Sequence, residues 1–365
     1  MGSARSDRRD ETEPFAVKLF VRATNWVGDA VLSLPALAAL RARFPQAEIV
    51  ILARPWVAGL YRGQGLADRL LVFDHNGRHR GWRGLERLAQ ELRAERFEMA
   101  ILLQNAFQAA WLAWRAAMGE RIGYARDGRS WLLTRAVPVP RTGEIPAHEH
   151  FYYLELLRRA GLLTELPRIE QVRLHVDPVA REQAEQKLRQ AGARREAPLR
   201  VALAPGAAYG SAKCWPVEHY AALADRLIAR FDADVILFGA PTEREVAERI
   251  AAAMRARSIL LAGQTQIEEL PALLAACQLF IGNDSGAMHV AAAVGLPVVA
   301  IFGPTDPDGT APLTTRWTLV REPVPCSPCF LRHCPIDHRC MTRIHVDAVL
   351  AAAAQWIERG VYRCG

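Results

Sequence analysis

Residues 278–303 read QLFIGNDSGAMHVAAAVGLPVVAIFG, and this stretch decides the fold class. An apolar run of strand length is followed by a short polar turn, an alanine-rich stretch of helical length and a second apolar run. Strand-helix-strand units of this kind form parallel sheets with crossover helices. The stretch therefore predicts an α/β protein.

The same alternation continues on both sides of this stretch. From residue 200 onward, apolar strands alternate with amphipathic helices such as the one predicted over 217–231. Prolines punctuate the chain between about 125 and 180. Because 365 residues exceed what a single core usually holds, we predict two doubly wound domains. In the first half, strands are predicted at 16–22, 48–53, 70–73, 98–103 and 121–124.

Domain boundaries follow from these changes of pattern. We predict a disordered leader at 1–14, an N-terminal Rossmann-like domain with its linker at 15–177, and a C-terminal Rossmann-like domain at 178–365. The last includes a cysteine-rich loop at 326–340 and a C-terminal helix. The leader has no hydrophobic secretory segment, and no run approaches the ~20 apolar residues of a membrane span. We therefore expect a cytoplasmic location.

Asp29 follows the first predicted strand, in the loop Asn25-Trp26-Val27-Gly28-Asp29. Ligands of open parallel sheets bind beyond the carboxyl ends of the strands, where this loop lies. An Asp at the start of a helix is either a cap or first-turn residue, or a catalytic carboxylate. The loop has a single glycine in place of G-x-G-x-x-G, which argues against a nicotinamide enzyme.

Two loops of the second half have the composition of phosphate-binding loops. Residues 204–216, APGAAYGSAKCWP, place small residues beside Lys213, and the chain has only two other lysines. Residues 283–289, NDSGAMH, precede a helix whose first N–H groups favour anions. The alternatives are a flexible loop with a solvated lysine and an Asp284 that only caps the helix.

Three segments resemble the heptosyltransferases of glycosyltransferase family 9, most closely those of type II. They are NWVGDAVLSLPAL at 25–37, PGAAYGSAKCWPVEHYAALA at 205–224 and NDSGAMHVAAAVGLPVVAIFGPTDP at 283–307. The resemblance implies a GT-B fold, in which two Rossmann-like domains face a central cleft. It also implies inverting transfer of L-glycero-D-manno-heptose from ADP-heptose to heptosyl-Kdo2-lipid A, the inner core of lipopolysaccharide, with no cofactor required.

The resemblance further assigns roles to single residues. Asp29 matches the catalytic base, and Lys213 matches the lysine that contacts the donor phosphates. Glu243 falls where the family binds the ribose, and Thr265 falls near the adenine contact. The remaining donor-binding positions are Asp284, Ser285, Gly286, Ala287 and His289.

Four further residues are predicted to contact the acceptor, because they are expected at or near the carboxyl ends of first-domain strands. They are Arg54, Asn105, Arg121 and Arg126. Since the acceptor is a lipid, we expect peripheral contact with the cytoplasmic face of the inner membrane, and no nucleic-acid partner.

The cysteines Cys326, Cys329, Cys334 and Cys340 form a C-x2-C-x4-C-x5-C cluster. Four thiols in one cytoplasmic loop suggest a structural zinc ion or, second, an iron-sulfur cluster. The spacing matches no strong zinc template, and His333 and His338 are alternative ligands. The sequence therefore predicts a candidate metal site at this cluster without deciding whether a metal is bound.

Two rival functions follow from the same features. Another GT-B nucleotide-sugar transferase, or an epimerase, would share both sheets and the phosphate loops. A noncatalytic lipid- or nucleic-acid-binding protein would use the net charge of +7. Scattering of the basic residues, without a recognisable binding module, argues against the second rival.

Overall fold

A computed structural model describes residues 17–195 and 199–360 of the chain. The predicted leader at 1–14 and the last residues of the predicted C-terminal domain, 361–365, lie outside this range. The described residues form two six-stranded parallel sheets with helices on their faces. The prediction of two doubly wound α/β units is confirmed.

The first sheet has the strand order β3-β2-β1-β4-β5-β6, which is the order of a Rossmann fold. Its strands are β1 (Lys18–Arg22), β2 (Glu48–Ala53), β3 (Arg69–Val72), β4 (Met99–Leu102), β5 (Glu120–Tyr124) and β6 (Arg135–Val137). The helices of this half are α1 (Val27–Leu32), α2 (Leu34–Arg43), α3 (Pro55–Ala58), α4 (Gly81–Glu95), α5 (Phe107–Arg115) and α6 (Glu149–Arg159).

The second sheet repeats that topology, with the strand order β12-β11-β10-β7-β8-β9. Its strands are β7 (Leu199–Ala204), β8 (Ala233–Leu237), β9 (Ile259–Leu260), β10 (Leu279–Asn283), β11 (Val298–Phe302) and β12 (Trp317–Arg321). Its helices are α7 (Pro178–Gln190), α8 (Val217–Phe231), α9 (Arg244–Ala253), α10 (Leu270–Ala275), α11 (Gly286–Ala293), α12 (Pro307–Thr310), α13 (Arg339–Thr342) and α14 (Val346–Glu358).

Burial explains why the central strands are apolar along their whole length. Every residue of β2, EIVILA, is buried, as is every residue of β11, VVAIF. Parallel strands covered by helices on both faces need apolar side chains on both sides, so they do not alternate with polar ones. The edge strands β6 and β12 are partly exposed.

Helices α1 and α11 bring the two halves into contact. Val27 and Gly28, at the start of α1, meet Gly286, the first residue of α11. A β-carbon on Gly286 would lie 2.6 Å from Cβ of Val27, so only glycine allows this approach. The carboxyl-end loops of both sheets therefore face one cleft.

The predicted boundary at 177/178 falls immediately before α7, whose neighbour in the fold is α10 of the second half. The segment before α7 already packs against the second half, since Leu174 N donates to Ala293 O over 2.9 Å. The boundary itself stays a prediction. Within the described residues, no helix combines the length and apolarity needed to cross a bilayer.

Candidate active site

Asp29, Lys213 and Asp284 meet in the cleft between the halves. Asp29 is the third residue of α1 and is half-buried. Lys213 ends a short 3-10 helix, Ser211–Lys213, and Asp284 directly follows β10. The charges of Lys213 and Asp284 both act on the Asp29 carboxyl. The structure thus brings the predicted base to the predicted donor residues.

A buried ion pair fixes Lys213. Its Nζ lies 2.5 Å from Oδ2 of Asp284, and the same oxygen accepts a hydrogen bond from Thr305 over 2.8 Å. The Lys213 ammonium also lies 4.9 Å from the centre of the Tyr209 ring. Because Asp284 is only 5% exposed, its charge needs the lysine, and the lysine is held in one place.

Asn283, the last residue of β10, connects the two loops that are predicted to bind phosphate. Its side chain is fully buried, accepts hydrogen bonds from Trp215 N and the Tyr220 hydroxyl, and donates to Pro205 O over 2.6 Å. This amide therefore holds residues 205–215 against the end of β10.

The start of α11 has the features of an anion site. Ser285 precedes the helix, its buried Oγ has no partner among the described residues, and its side chain caps no N–H group. The first N–H groups of any α-helix lack partners within the helix. Gly286, Ala287 and His289 follow in the first turns, so a phosphate placed here meets free donors.

Burial raises the pKa of Asp29 to about 6, while the Lys213 charge opposes that rise and the Asp284 charge adds to it. A carboxyl group with such a pKa is mostly ionised at neutral pH and is a better base than an ordinary Asp. Burial lowers the pKa of His289 to about 4, so that its imidazole is neutral.

The first domain contributes a second group of polar side chains. Asn105 donates to the Tyr152 hydroxyl over 2.9 Å, and Arg126 approaches the same oxygen at 3.4 Å. Glu149, the first residue of α6, lies near both Asp29 and Arg126, and its pKa is raised to about 7 by burial and by the Asp29 charge. Sequence reasoning missed Glu149. Its local sequence carries no signal for this position.

The predicted position of Arg121 at the carboxyl end of a strand is wrong. Arg121 is the second residue of β5 and therefore lies at the amino end of its strand, away from the cleft. Its guanidinium donates to the carbonyl oxygens of Met118, Gly119 and Leu132, which is a structural role. Arg54 follows β2 as expected and is buried.

Glu243 and Thr265 follow the neighbouring strands β8 and β9, on the same edge of the sheet as Lys213. The Glu243 carboxylate accepts a hydrogen bond from Ala240 N over 2.7 Å and abuts Gly206 of the Lys213 loop. Thr265 is half-buried. Their predicted contacts with the nucleoside stay predictions.

The four clustered cysteines line a single cavity of about 110 Å³, together with Ala212 and Pro304. Over residues 17–195 and 199–360, however, no group of three or more Cys, His, Asp or Glu side chains is arranged to hold a metal ion. These residues as placed do not form a metal centre, and a structural zinc ion stays a prediction.

The cysteine-rich segment instead packs behind the Lys213 loop. Tyr209 donates to Phe330 O over 2.7 Å, and Ala212 N donates to Arg332 O over 3.0 Å. The proposed alternative metal ligands are also used here, because His333 pairs with the Ser211 hydroxyl and His338 pairs with Ala212 O. The segment further reaches the turn after β11, where Cys329 N donates to Pro304 O.

A carboxyl group with a raised pKa faces a lysine and the first turn of α11 across a cleft between two Rossmann-like sheets. This arrangement is typical of the class of nucleotide-sugar glycosyltransferases with the GT-B architecture. Residues 85–339 match glycosyltransferase family 9 (heptosyltransferase). The chain belongs to glycosyltransferase family 9, the heptosyltransferases, and the resemblance of its motifs is confirmed.

Individual relatives agree with this assignment. Lipopolysaccharide heptosyltransferase 2 of Salmonella typhimurium is 32% identical over 312 residues, which are 84% of this chain and 88% of the relative. The Escherichia coli protein of the same name is 31% identical over the same shares of the two chains. The solved structure of E. coli ADP-heptose lps heptosyltransferase II has a TM-score of 0.80 and 29% identity, and the match covers 94% of this chain and all of that one. The epimerase and noncatalytic alternatives are not favoured.

Proposed function

We propose that the chain transfers L-glycero-D-manno-heptose from ADP-heptose to the inner core of lipopolysaccharide, with heptosyl-Kdo2-lipid A as the acceptor. The observation that carries the proposal is the meeting of Asp29 with Lys213 and the start of α11 in one cleft. The names of the relatives support ADP-heptose as the donor and lipopolysaccharide as the acceptor.

In the proposed reaction, an acceptor hydroxyl oxygen attacks the anomeric carbon of the heptose and gives its proton to Asp29. The bond between that carbon and the β-phosphate oxygen breaks on the opposite face, so the configuration inverts. ADP leaves with an additional negative charge. Lys213 and the free N–H groups of α11 stabilise that charge, in place of a divalent cation.

Glu243 and Thr265 are proposed to hold the nucleoside of ADP, because they follow the two strands beyond the Lys213 loop. On the other side of Asp29, we propose that Asn105, Arg126 and Glu149 face the acceptor. The base then lies between the donor and acceptor groups, as an inverting displacement requires.

We further propose that an exposed aromatic face contacts the cytoplasmic surface of the inner membrane. Phe107 and Trp114 of α5 lie 6.2 Å and 6.4 Å from Trp131, measured between ring centroids, and Trp131 is 69% exposed. Aromatic rings of this kind favour the interface between lipid and water. Exposed arginines of the adjoining α4 region, Arg80, Arg83 and Arg87, suit anionic headgroups.

Phe107 also places this face next to the acceptor groups. It begins α5, two residues after Asn105, at the carboxyl end of β4. An acceptor anchored in the bilayer can therefore reach Asn105 while its lipid stays in the membrane.

The decisive experiment measures product mass after the purified chain is incubated with ADP-heptose and a Kdo2-lipid A acceptor carrying one heptose. We expect a gain of one heptose that persists in the presence of a chelator and is lost in Asp29→Ala. An unchanged acceptor mass with the wild-type chain would exclude the proposed function. Acceptors with no heptose or two heptoses, tested in parallel, define which position is extended.

A further inference from the structure

Two arginines at the carboxyl ends of β1 and β2 share one aromatic ring. Cζ of Arg54 lies 4.2 Å from the centre of the Phe73 ring, and Cζ of Arg22 lies 5.6 Å from it. Neither guanidinium forms an ion pair with any residue in the described part of the chain. Two buried like charges without a counterion repel each other, which favours the binding of an anion beside them.

The Arg22 guanidinium donates hydrogen bonds to groups inside the protein. It is 1% exposed, and it donates to Ala23 O, Leu52 O and the Asn25 side chain at 2.7–3.1 Å. Burial, and next the Arg54 charge, lower its pKa to about 9. Arg22 is therefore a fixed positive charge behind the site.

Arg54 has unused hydrogen bonds. It is 9% exposed, and its buried Nε and Nη1 have no partner within residues 17–195 and 199–360. Burying N–H donors without a partner is costly, and the cost rises when the group is charged. Nε and Nη1 lie on different edges of the guanidinium, so one oxyanion does not bridge the two, but an oxyanion on either edge would accept from one of them and offset the buried positive charge.

Arg54 lies on the side of the cleft that is proposed to bind the acceptor. Trp56, two residues later, donates from its ring nitrogen to Asn25 O over 2.7 Å, and so ties this loop to the loop that leads to Asp29. Trp26 and Trp56 are 46% and 43% exposed. Aromatic faces beside a charged group are well suited to hold a sugar ring that carries an acid.

We propose that Arg54, positioned by Phe73 and backed by Arg22, binds an oxyanion on the acceptor, either a carboxylate or a phosphate attached to a core sugar. This inference rests on the proposed function, which it deepens by naming the group that the first domain recognises. The donor pocket, with Lys213 and α11, lies on the other domain and is not part of it.

The test is direct binding, measured by calorimetry, of a soluble acceptor fragment with one heptose on a Kdo disaccharide. Three forms are compared: one with free carboxylates, one with methyl-esterified carboxylates, and one phosphorylated on the heptose. The proteins are the wild type, Arg54→Gln, Arg54→Lys and the control Arg62→Gln. Arg62 is an exposed arginine eight residues away in the same connection, with no ion pair in the described chain.

We expect Arg54→Gln to weaken binding of at least one anionic form by about tenfold or more, and Arg54→Lys to weaken it less. Loss of affinity on esterification, seen in the wild type and abolished in Arg54→Gln, identifies a carboxylate. If Arg54→Gln weakens binding of the phosphorylated form alone, the oxyanion that Arg54 binds is a phosphate. Arg62→Gln and the affinity for ADP should stay within about twofold of the wild-type values.

Equal binding of every form by the wild type and Arg54→Gln, or no binding by the wild type, would overturn the subsite. The melting temperature of Arg54→Gln controls for folding, and we expect it not to fall, because the substitution removes a like-charge repulsion. Heptose transfer is scored separately. A wild type that binds the fragment through Arg54 but transfers nothing would reject the proposed function and retain the subsite.

Discussion

Gly28 and His289 touch across the cleft between the two domains. A β-carbon on Gly28 would lie 2.9 Å from Cδ2 of the His289 ring, closer than real β-carbons come to other atoms. The backbone next to Asp29 thus rests directly on the His289 ring of α11. We infer that this contact sets the distance between the proposed base and the proposed donor site.

Gly28→Ala is therefore expected to lower the melting temperature and reduce kcat/KM by at least about tenfold, because it forces α1 away from α11. Combining it with His289→Ala removes the atoms that the new methyl group would meet. We expect the double variant to lose less than the sum of the single losses, measured by thermal unfolding and by transfer assays. Additive losses would show that the contact does not set the distance.

Asp29→Asn is expected to reduce kcat by about 10²-fold or more and yet to raise the melting temperature above pH 6. The folded-state pKa of about 6 exceeds the ordinary value of 3.8, so the charged form destabilises the fold. That penalty is absent below pH 3.8, grows as pH rises and is complete above pH 6. Melting curves at pH 4 and pH 8 check the sign, since only the second should show stabilisation.

The pH dependence of kcat/KM should report both first-domain carboxyl groups. We expect activity to rise through pH 6 as Asp29 loses its proton, and to change again near pH 7 as Glu149 does. Glu149→Gln should remove the second change and keep the first. Glu144→Gln is the matched control, because Glu144 is exposed and its pKa is lowered by hydrogen bonds from Arg141 and Arg159. A profile that is identical in all three proteins would separate Glu149 from the reaction.

Two of the three lysines make a matched pair of variants. Lys213→Gln leaves the buried Asp284 carboxylate without its cation and should cost about 3–5 kcal/mol of unfolding free energy. It should also abolish the stabilisation by ADP in melting experiments. Lys187 pairs with Glu269 at the same kind of distance, 2.7 Å, but in a more exposed place. Lys187→Gln should cost about 1 kcal/mol or less and leave the ADP shift intact.

Membrane contact is tested by co-sedimentation with vesicles of phosphatidylethanolamine and phosphatidylglycerol. Trp131→Ser and Trp114→Ser together should reduce the bound fraction several-fold, because they remove the aromatic rings that would enter the interface. Val179→Ser is the control, since Val179 is 62% exposed but lies on α7 of the other half. Added salt should weaken binding by the wild type as it screens the arginines. Equal sedimentation of all variants would place the contact elsewhere.

The apolar patterns predicted the central parts of both sheets well. The expected strand at 48–53 and helix at 217–231 have the observed bounds, because both are long and strongly patterned. The loops around Asp29, Lys213 and Asp284 were also predictable. Each one follows an apolar strand and precedes a helix, and the carboxyl ends of parallel strands meet at one edge.

The apolar patterns did not predict features that are short, that are exposed, or that bring together residues far apart in the sequence. The edge strand β6 has three residues with only Val137 buried, so it carries no apolar signal. Arg121 was expected near the carboxyl end of its strand, although the strand predicted at 121–124 already begins with this residue, and the observed strand Glu120–Tyr124 places it at the amino end. Glu149 and Asp29 lie close together although they are 120 positions apart in the sequence, and no local pattern predicts that proximity.

The cysteine-rich segment has a consequence for the order in which the enzyme is made. It supports the Lys213 loop and the turn at Pro304, yet it follows all twelve strands in the chain. The first half of the chain, which contains Asp29, is translated before the second half. The loop that contains Lys213 gains its contact with His338 only after residue 338 has been translated, so the part of the cleft around Lys213 is the last to be completed.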